Sequence, residues 1–254
     1  MVVAAARRGG DVRAMSVHLV GGGWRPEHAA SVYGPFLAEA AEAAARDGVD
    51  RPRVAVLLVG GGAEAAEQVP RWRATLESVA EADVAVTAVD EHGSFEPSAL
   101  AGAHGVLIGG GLTPAYRRAV EPIAGELRRL VASGLPYLGY SAGAAIASDT
   151  ALLGGWRIGG VPVVAEEAAE DLDDVTAEAG IGLIDLTVDC HAAQWGTLTR
   201  LIAATEAGLV DGGIAIDEDT LFSIGTAGLR VAGGGTVWSV TAAADGVSVR
   251  SLAG

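Results

Sequence analysis

The chain has 254 residues and a formal charge of −15, from 17 cationic and 32 acidic side chains, and half of it is apolar. All the cations are arginine, and lysine and asparagine are absent, which excludes lysine Schiff-base chemistry, a P-loop lysine and N-glycosylation. The negative charge argues against a nucleic-acid or anionic-membrane binder, and the single Cys190 excludes an internal disulfide framework and a Cys-rich zinc site.

Residues 1–14 carry arginines with no adequate apolar run after them. They read as a disordered leader ahead of a single domain over 15–254, not as a secretory signal. The lone cysteine then fits a cytoplasmic location, and no uninterrupted apolar run reaches the length of about 18 residues that suggests a membrane span. The strand Ser16 to Val20 ends in Gly21-Gly22-Gly23, and an Ala-rich helix follows over Glu27 to Asp47. Arg53 to Val59 is a second strand, Ala63 to Ala80 a helix and Val84 to Val89 a third strand. Val106 to Ile108 is a fourth strand, running into Gly109-Gly110-Gly111. Pro114 to Ser133 is predicted as one helix and Tyr137 to Tyr140 as the fifth strand. This alternation predicts βαβ units and a mostly parallel sheet flanked by helices. Glycine clusters at strand ends mark where a ligand meets an open α/β sheet.

The later half is less regular. The acidic stretch 166–178 reads as a solvated helix or loop, Gly182 to Val188 as a strand and Ala193 to Ala207 as a helix. From Ile214 onward, short apolar runs between glycines predict antiparallel strands.

The sharpest local signal is Gly139-Tyr140-Ser141-Ala142-Gly143, a G-x-S-x-G sequence between a strand and small helix formers. A sharp turn there exposes the Ser141 hydroxyl and makes the Ala142 N–H a natural oxyanion donor. Of the five histidines only His191 follows Ser141, and its place at a strand end suits a general base. Cys190 precedes it directly, so in extended chain the two side chains face opposite ways, and Cys190 reads as a packing residue. The orienting carboxylate would come from Asp217, Glu218 or Asp219, with Asp189 poorly aimed.

Taken together, the segments GGGLTPAY (109–116), GYSAGAAI (139–146), DCHAAQWGTLTRLI (189–202) and GIAIDEDT (213–220) resemble the dipeptidase E and cyanophycinase family of serine peptidases. That resemblance implies a class I glutamine amidotransferase-like (flavodoxin-like) fold, with Ser141 as nucleophile, His191 as base and Glu218 as the carboxylate. It implies an oxyanion hole from Gly110, Gly111 and Ala142, a small peptide substrate (dipeptide or isopeptide, with aspartyl peptides included), and no cofactor or metal. Thr113, Arg157 and Arg200 are the candidate substrate-binding residues, with Arg117 and Arg118 as weaker ones and Trp156 and Trp195 read mainly as core. Leu112 and Thr113 stand where cyanophycinases carry Asp and Gln, and Cys190 and Ala192 replace the Gln and aromatic residue around the histidine. Most of the arginines that follow it are also missing, which removes cyanophycin as the expected substrate. Nucleic acid and membrane are not expected partners, while a homodimer is compatible with the sequence. Two other readings compete: an α/β-hydrolase-type esterase with its acid in 166–178, and a non-catalytic amidotransferase-like binding protein. Because the bulk charge repels anions, an acidic substrate would need an arginine held locally beside Ser141.

Overall fold

The computed structural model describes residues 16–225 and 228–252; the leader expected at 1–14 lies outside them. The first half follows the predicted alternation: β1 (Val17–Val20), α1 (Ala29–Arg46), β2 (Arg53–Val59), α2 (Gly62–Val79), β3 (Asp83–Val89) and β4 (Gly105–Ile108). Then come α3 (Thr113–Val120), α4 (Ala124–Ala132), β5 (Tyr137–Tyr140) and the short α5 (Ala142–Ala145). The helix predicted over 114–133 is two helices, because a 3-10 turn at Glu121–Ile123 interrupts it. Pro122 sits in that turn; proline lacks the N–H that continuous helix needs and crowds the preceding carbonyls.

The second half supplies β6 (Thr150–Gly154), β7 (Arg157–Ile158), β8 (Val161–Pro162), β9 (Thr176–Ala179), β10 (Thr187–Cys190), α6 (Leu198–Glu206) and β11 (Gly212–Ile216). The chain continues through β12 (Thr220–Gly225), β13 (Gly228–Gly233), β14 (Val237–Ala243) and β15 (Gly246–Leu252). Three sequence expectations change here. Part of the acidic stretch is a strand, β9, paired antiparallel with β6. The strand expected at 182–188 starts only at Thr187 and runs on to Cys190. The helix expected from Ala193 starts at Leu198, because the Trp195 N–H is held on the His191 carbonyl at 2.9 Å and Gly196 takes a φ of 73°.

The main sheet has the order β13-β12-β1-β5-β4-β2-β3. Its strands β1 to β5 are mutually parallel, and β12 and β13 extend one edge antiparallel. This is the α/β architecture with a mostly parallel central sheet flanked by helices. The strands read as unbroken apolar runs because both faces are covered. Val54, Val56 and Leu58 pack with Phe36, Leu37, Trp72 and Leu76 on one side. Ala55, Leu57 and Val59 pack with Tyr116, Val120, Ile123 and Leu127 on the other. A second sheet, β10-β11-β14-β15, packs against α6 through Leu201, Ala204, Ala215 and Val240.

The two sheets meet at the carboxyl ends of β1 and β5. β11 belongs to the second sheet and β12 to the first, so Asp217, Glu218 and Asp219 form the turn that crosses between them. At the same junction the His191 N–H donates to the Gly21 carbonyl, just past β1, at 3.0 Å. No helix among the described residues is long and apolar enough to cross a membrane.

The glycines around Ser141 are spatial requirements. A methyl group on Gly139 would lie 2.4 Å from the Gly143 carbonyl oxygen, and one on Gly143 would lie 2.2 Å from that of Ile108. Gly143→Ala forces α5 off β4. It is expected to cost about 1–3 kcal/mol, the usual range for overpacking, read as a lower urea midpoint at unchanged m-value.

Candidate active site

Ser141 sits between β5 and α5 with φ 51° and ψ −111°. A non-glycine residue with positive φ is strained and persists only where its surroundings hold it. Here the Ser141 N–H donates to the Val20 carbonyl at 2.9 Å, and its carbonyl accepts from the Ala144 and Ala145 N–H groups. The turn lifts the side chain toward the sheet junction, where Ser141 Oγ lies 2.9 Å from His191 Nε2. His191 Nδ1 lies 2.8 Å from Glu218 Oε1. The order of these groups along the chain is Ser, His, Glu, so no acid of 166–178 takes the place beside His191 that the esterase reading requires.

The acidic turn sorts its three members by partner. Asp217 accepts from the Ala193 and Thr236 N–H groups and the Trp238 indole. Asp219 accepts from the Arg25 N–H at 2.9 Å. Glu218 alone turns to His191. Its own N–H donates to Gln194 Oε1 at 2.9 Å, a contact with no sequence signal. Gly22 has φ 102°, and a methyl group there would fall 2.1 Å from His191 Cε1, so the glycine cluster after β1 makes room for the imidazole.

Trp195 is not a core residue. It is 45% exposed and lies on the His191 ring, with centroids 3.9 Å apart and planes 8° from parallel. Burial pushes the His191 pKa below its ordinary value, opposed by the Glu218 carboxylate. Cys190 is buried with its Sγ 3.4 Å from the Ser141 carbonyl, and burial pushes its thiol pKa up, which suits a packing residue and not a nucleophile.

Gly110 packs against Ser141, since a methyl group on it would lie 2.8 Å from Ser141 Cβ. Among the described residues the Gly110, Gly111 and Ala142 N–H groups make no backbone hydrogen bond outside regular elements. Gly110 and Gly111 line a cleft of about 950 Å³ together with Ser141 and His191. Ala142 and Thr113 border a small recess behind Ser141.

The candidate arginines lie elsewhere. Arg200 is buried, with Nε and Nη2 on the two Asp189 carboxylate oxygens at 2.9 and 2.7 Å. Its Nη1 donates to the Ala168 and Gly155 carbonyls. Its hydrogen-bonding atoms are thus engaged within the protein, and the substrate role expected from sequence gives way to a structural one. Arg157 pairs with Asp173 and Asp174, Arg117 with Glu121 and the Ala179 carbonyl, and Arg118 with the Glu91 carbonyl. Among the described residues that line the cleft, the one arginine is Arg71, whose guanidinium lies 3.9 Å over the Trp24 ring. Sequence reasoning missed it, and it also missed Glu170, a largely buried acid in the same cleft, whose stretch reads as solvated.

No family model matches the chain, and no curated protein matches it. Solved structures do. A peptidase from an acI-B1 Actinobacterium superimposes with a TM-score of 0.62 over 95% of both chains at 14% identity. A candidate peptidase E protein from Listeria monocytogenes EGD-e gives a TM-score of 0.54 at 14% identity, over 87% of this chain and 100% of that one. At that identity the likeness is one of fold.

Arg200→Met leaves the Asp189 carboxylate buried without its partner. It is expected to destabilise the protein by about 3–5 kcal/mol, whereas Arg200 and Asp189 replaced together by Met and Leu should lose much less. Chemical denaturation of the single and double variants checks this.

Proposed function

We propose that the chain is a serine-type peptidase of the class I glutamine amidotransferase-like fold, related to the dipeptidase E and cyanophycinase family, that cleaves small peptides through an acyl-enzyme. The observation that carries this reading is the relay from Ser141 Oγ through His191 to Glu218, with links of 2.9 and 2.8 Å, at the mouth of a cleft. His191 Nε2 takes the Ser141 proton as Oγ attacks a peptide carbonyl. Glu218 holds the Nδ1–H tautomer and stabilises the imidazolium that forms. The N–H groups of Gly110, Gly111 and Ala142 supply the donors for the developing oxyanion. Imidazolium then protonates the leaving amine. Water, deprotonated by His191, attacks the acyl carbonyl, and the acid leaves as Ser141 recovers its proton.

Gln194 and Trp195 act on this relay through their neighbours. Gln194 fixes the backbone of Glu218, and Trp195 covers one face of the imidazole. Removing water there strengthens the His–Glu interaction, and the same burial favours the neutral imidazole that a general base must be.

The test is covalent labelling with a serine-reactive phosphonate. Ser141→Ala should abolish labelling, and Glu218→Ala should slow it by about 10²–10⁴-fold, the range for a general-base contribution. Correctly folded protein that takes no label would refute the reading. His191 must be unprotonated to act, and its pKa is depressed. Labelling by the native protein should therefore rise with pH through a midpoint below the ordinary histidine value of about 6.5, then stay level to pH 8. A midpoint above that value would contradict the burial argument.

A further inference from the structure

The cleft over Ser141 has a marked charge asymmetry. One wall is the loop 166–173, which brings Glu166, Glu167, Glu170, Asp171 and Asp173 to the cleft. Asp173 is neutralised by Arg157 at 3.0 Å. Glu166, Glu167 and Asp171 are exposed and have no ion-pair partner among the described residues.

Glu170 differs from its neighbours because it is built in. Its Oε2 accepts the Thr113 N–H at 2.9 Å, at the start of α3 and just past the Gly110-Gly111 loop. The Thr113 side chain also interacts with this carboxylate, and Glu170 forms no ion pair among the described residues. Glu170 borders both the cleft and the recess behind Ser141. The backbone beneath it is pinned. Glu170 and Asp171 are consecutive non-glycine residues at φ 57° and 59°, a conformation retained only under constraint. The constraint is visible: the Gly155 N–H donates to the Ala169 carbonyl at 2.8 Å, Arg200 Nη1 donates to the Ala168 carbonyl at 2.6 Å, and Glu170 Cβ fills the space where a Gly154 side chain would stand.

We propose that Glu170 is the specificity-determining residue of this cleft, and that the substrate is a small peptide or amide carrying an ammonium or guanidinium group that docks on its carboxylate. This rests on the peptidase reading for the reaction but not for the binding. A partly buried carboxylate without a counterion is incomplete, and a charge-assisted hydrogen bond from a bound cation completes it. The nearest fixed cation cannot do so, because Arg200 is committed to Asp189. The exposed acids on the rim add long-range attraction, and the outer face of Trp195 offers an aromatic surface for the cation's stem. The same wall disfavours an aspartyl side chain, since an acidic group would meet several carboxylates and only Arg71.

Burial raises the Glu170 pKa to about 7, with Asp189 adding to the rise and the Thr113 N–H and Arg200 opposing it. Glu170 is thus charged above that pH and neutral below it. Selectivity for a basic over an isosteric neutral substrate should increase as pH rises through about 7 and level off above it.

The experiment has two arms on the full chain. In the first, argininamide and the neutral norleucinamide are titrated calorimetrically at pH 8. Argininamide should bind more tightly, and Glu170→Gln, which keeps an acceptor for the Thr113 N–H, should reduce that preference by about 10- to 100-fold, the range for a hydrogen bond to a charged group. Equal binding of the two amides, or a preference unchanged in Glu170→Gln, overturns the proposal. A melting curve checks that the variant is folded; if it is not, Glu166→Gln with Glu167→Gln on the exposed rim should lower argininamide binding selectively and restore part of it at high salt, and no such loss counts against the proposal. In the second arm, kcat/KM is compared for Lys-, Met- and Asp-containing dipeptides between pH 6 and 8. Argininamide binding without any hydrolysis refutes the peptidase reading alone. Hydrolysis that favours the Asp peptide refutes the charge selection alone.

Discussion

The buried pair between Arg200 and Asp189 ties together four segments at one point behind the site. Asp189 lies in β10, two residues before His191, and Arg200 lies in α6. The remaining guanidinium nitrogen holds the Gly155 carbonyl between β6 and β7 and the Ala168 carbonyl in the acidic loop. Each side chain is about 5% exposed. An unpaired charge at that depth is costly, whereas a planar guanidinium that meets a carboxylate with two nitrogens and places its third on carbonyls is fully satisfied. Such a pair need not add stability relative to apolar packing. Its contribution is geometric, because it admits one arrangement of the strand carrying His191, the helix behind it and the loop facing Ser141.

A second constraint acts on the opposite side of the site. Ser141 can occupy its strained turn only because the backbone of β4, β5 and α5 comes together closely at Gly139 and Gly143. The strain at Ser141, His191, Glu170 and Asp171 is concentrated around one cleft, while the sheet beneath it is regular and packed on both faces. Regular structure pays for irregular structure here: the parallel strands supply the rigidity that holds a few residues in unfavourable backbone conformations.

The charge of the protein and the charge of its cleft are related. An overall −15 could have been offset at the site by arginines. Those read as candidates are turned to carboxylates or carbonyls instead, and the loop over Ser141 carries acids. The field near the serine therefore follows the sign of the whole molecule, which favours the approach of a cation.

Much of the fold was legible in the chain. Apolar runs of strand length alternating with amphipathic segments report burial on both faces, and that is a local property. The serine turn was legible for the same reason, since G-x-S-x-G between a strand and a helix states its own backbone requirement. Long-range choices were not. Asp217, Glu218 and Asp219 are equivalent as a sequence of acids; only the crossing of the chain from one sheet to the other turns Glu218 to His191 and its neighbours to backbone N–H groups. Arg200 reads equally well as a substrate clamp or a buried strut, because a guanidinium suits both, and its burial beside Asp189 decides between them. Trp195 reads as core until the turn after His191 places it on the imidazole. Glu170 reads as one more solvated acid until the loop buries it. The sequence by itself determined the alternating α/β scaffold and the strained serine, because these rest on periodicity and backbone sterics within a few residues. Tertiary structure alone decided which acid meets the histidine, which arginine is removed from the cleft and which carboxylate is left facing it, because each depends on distances between segments far apart in the chain.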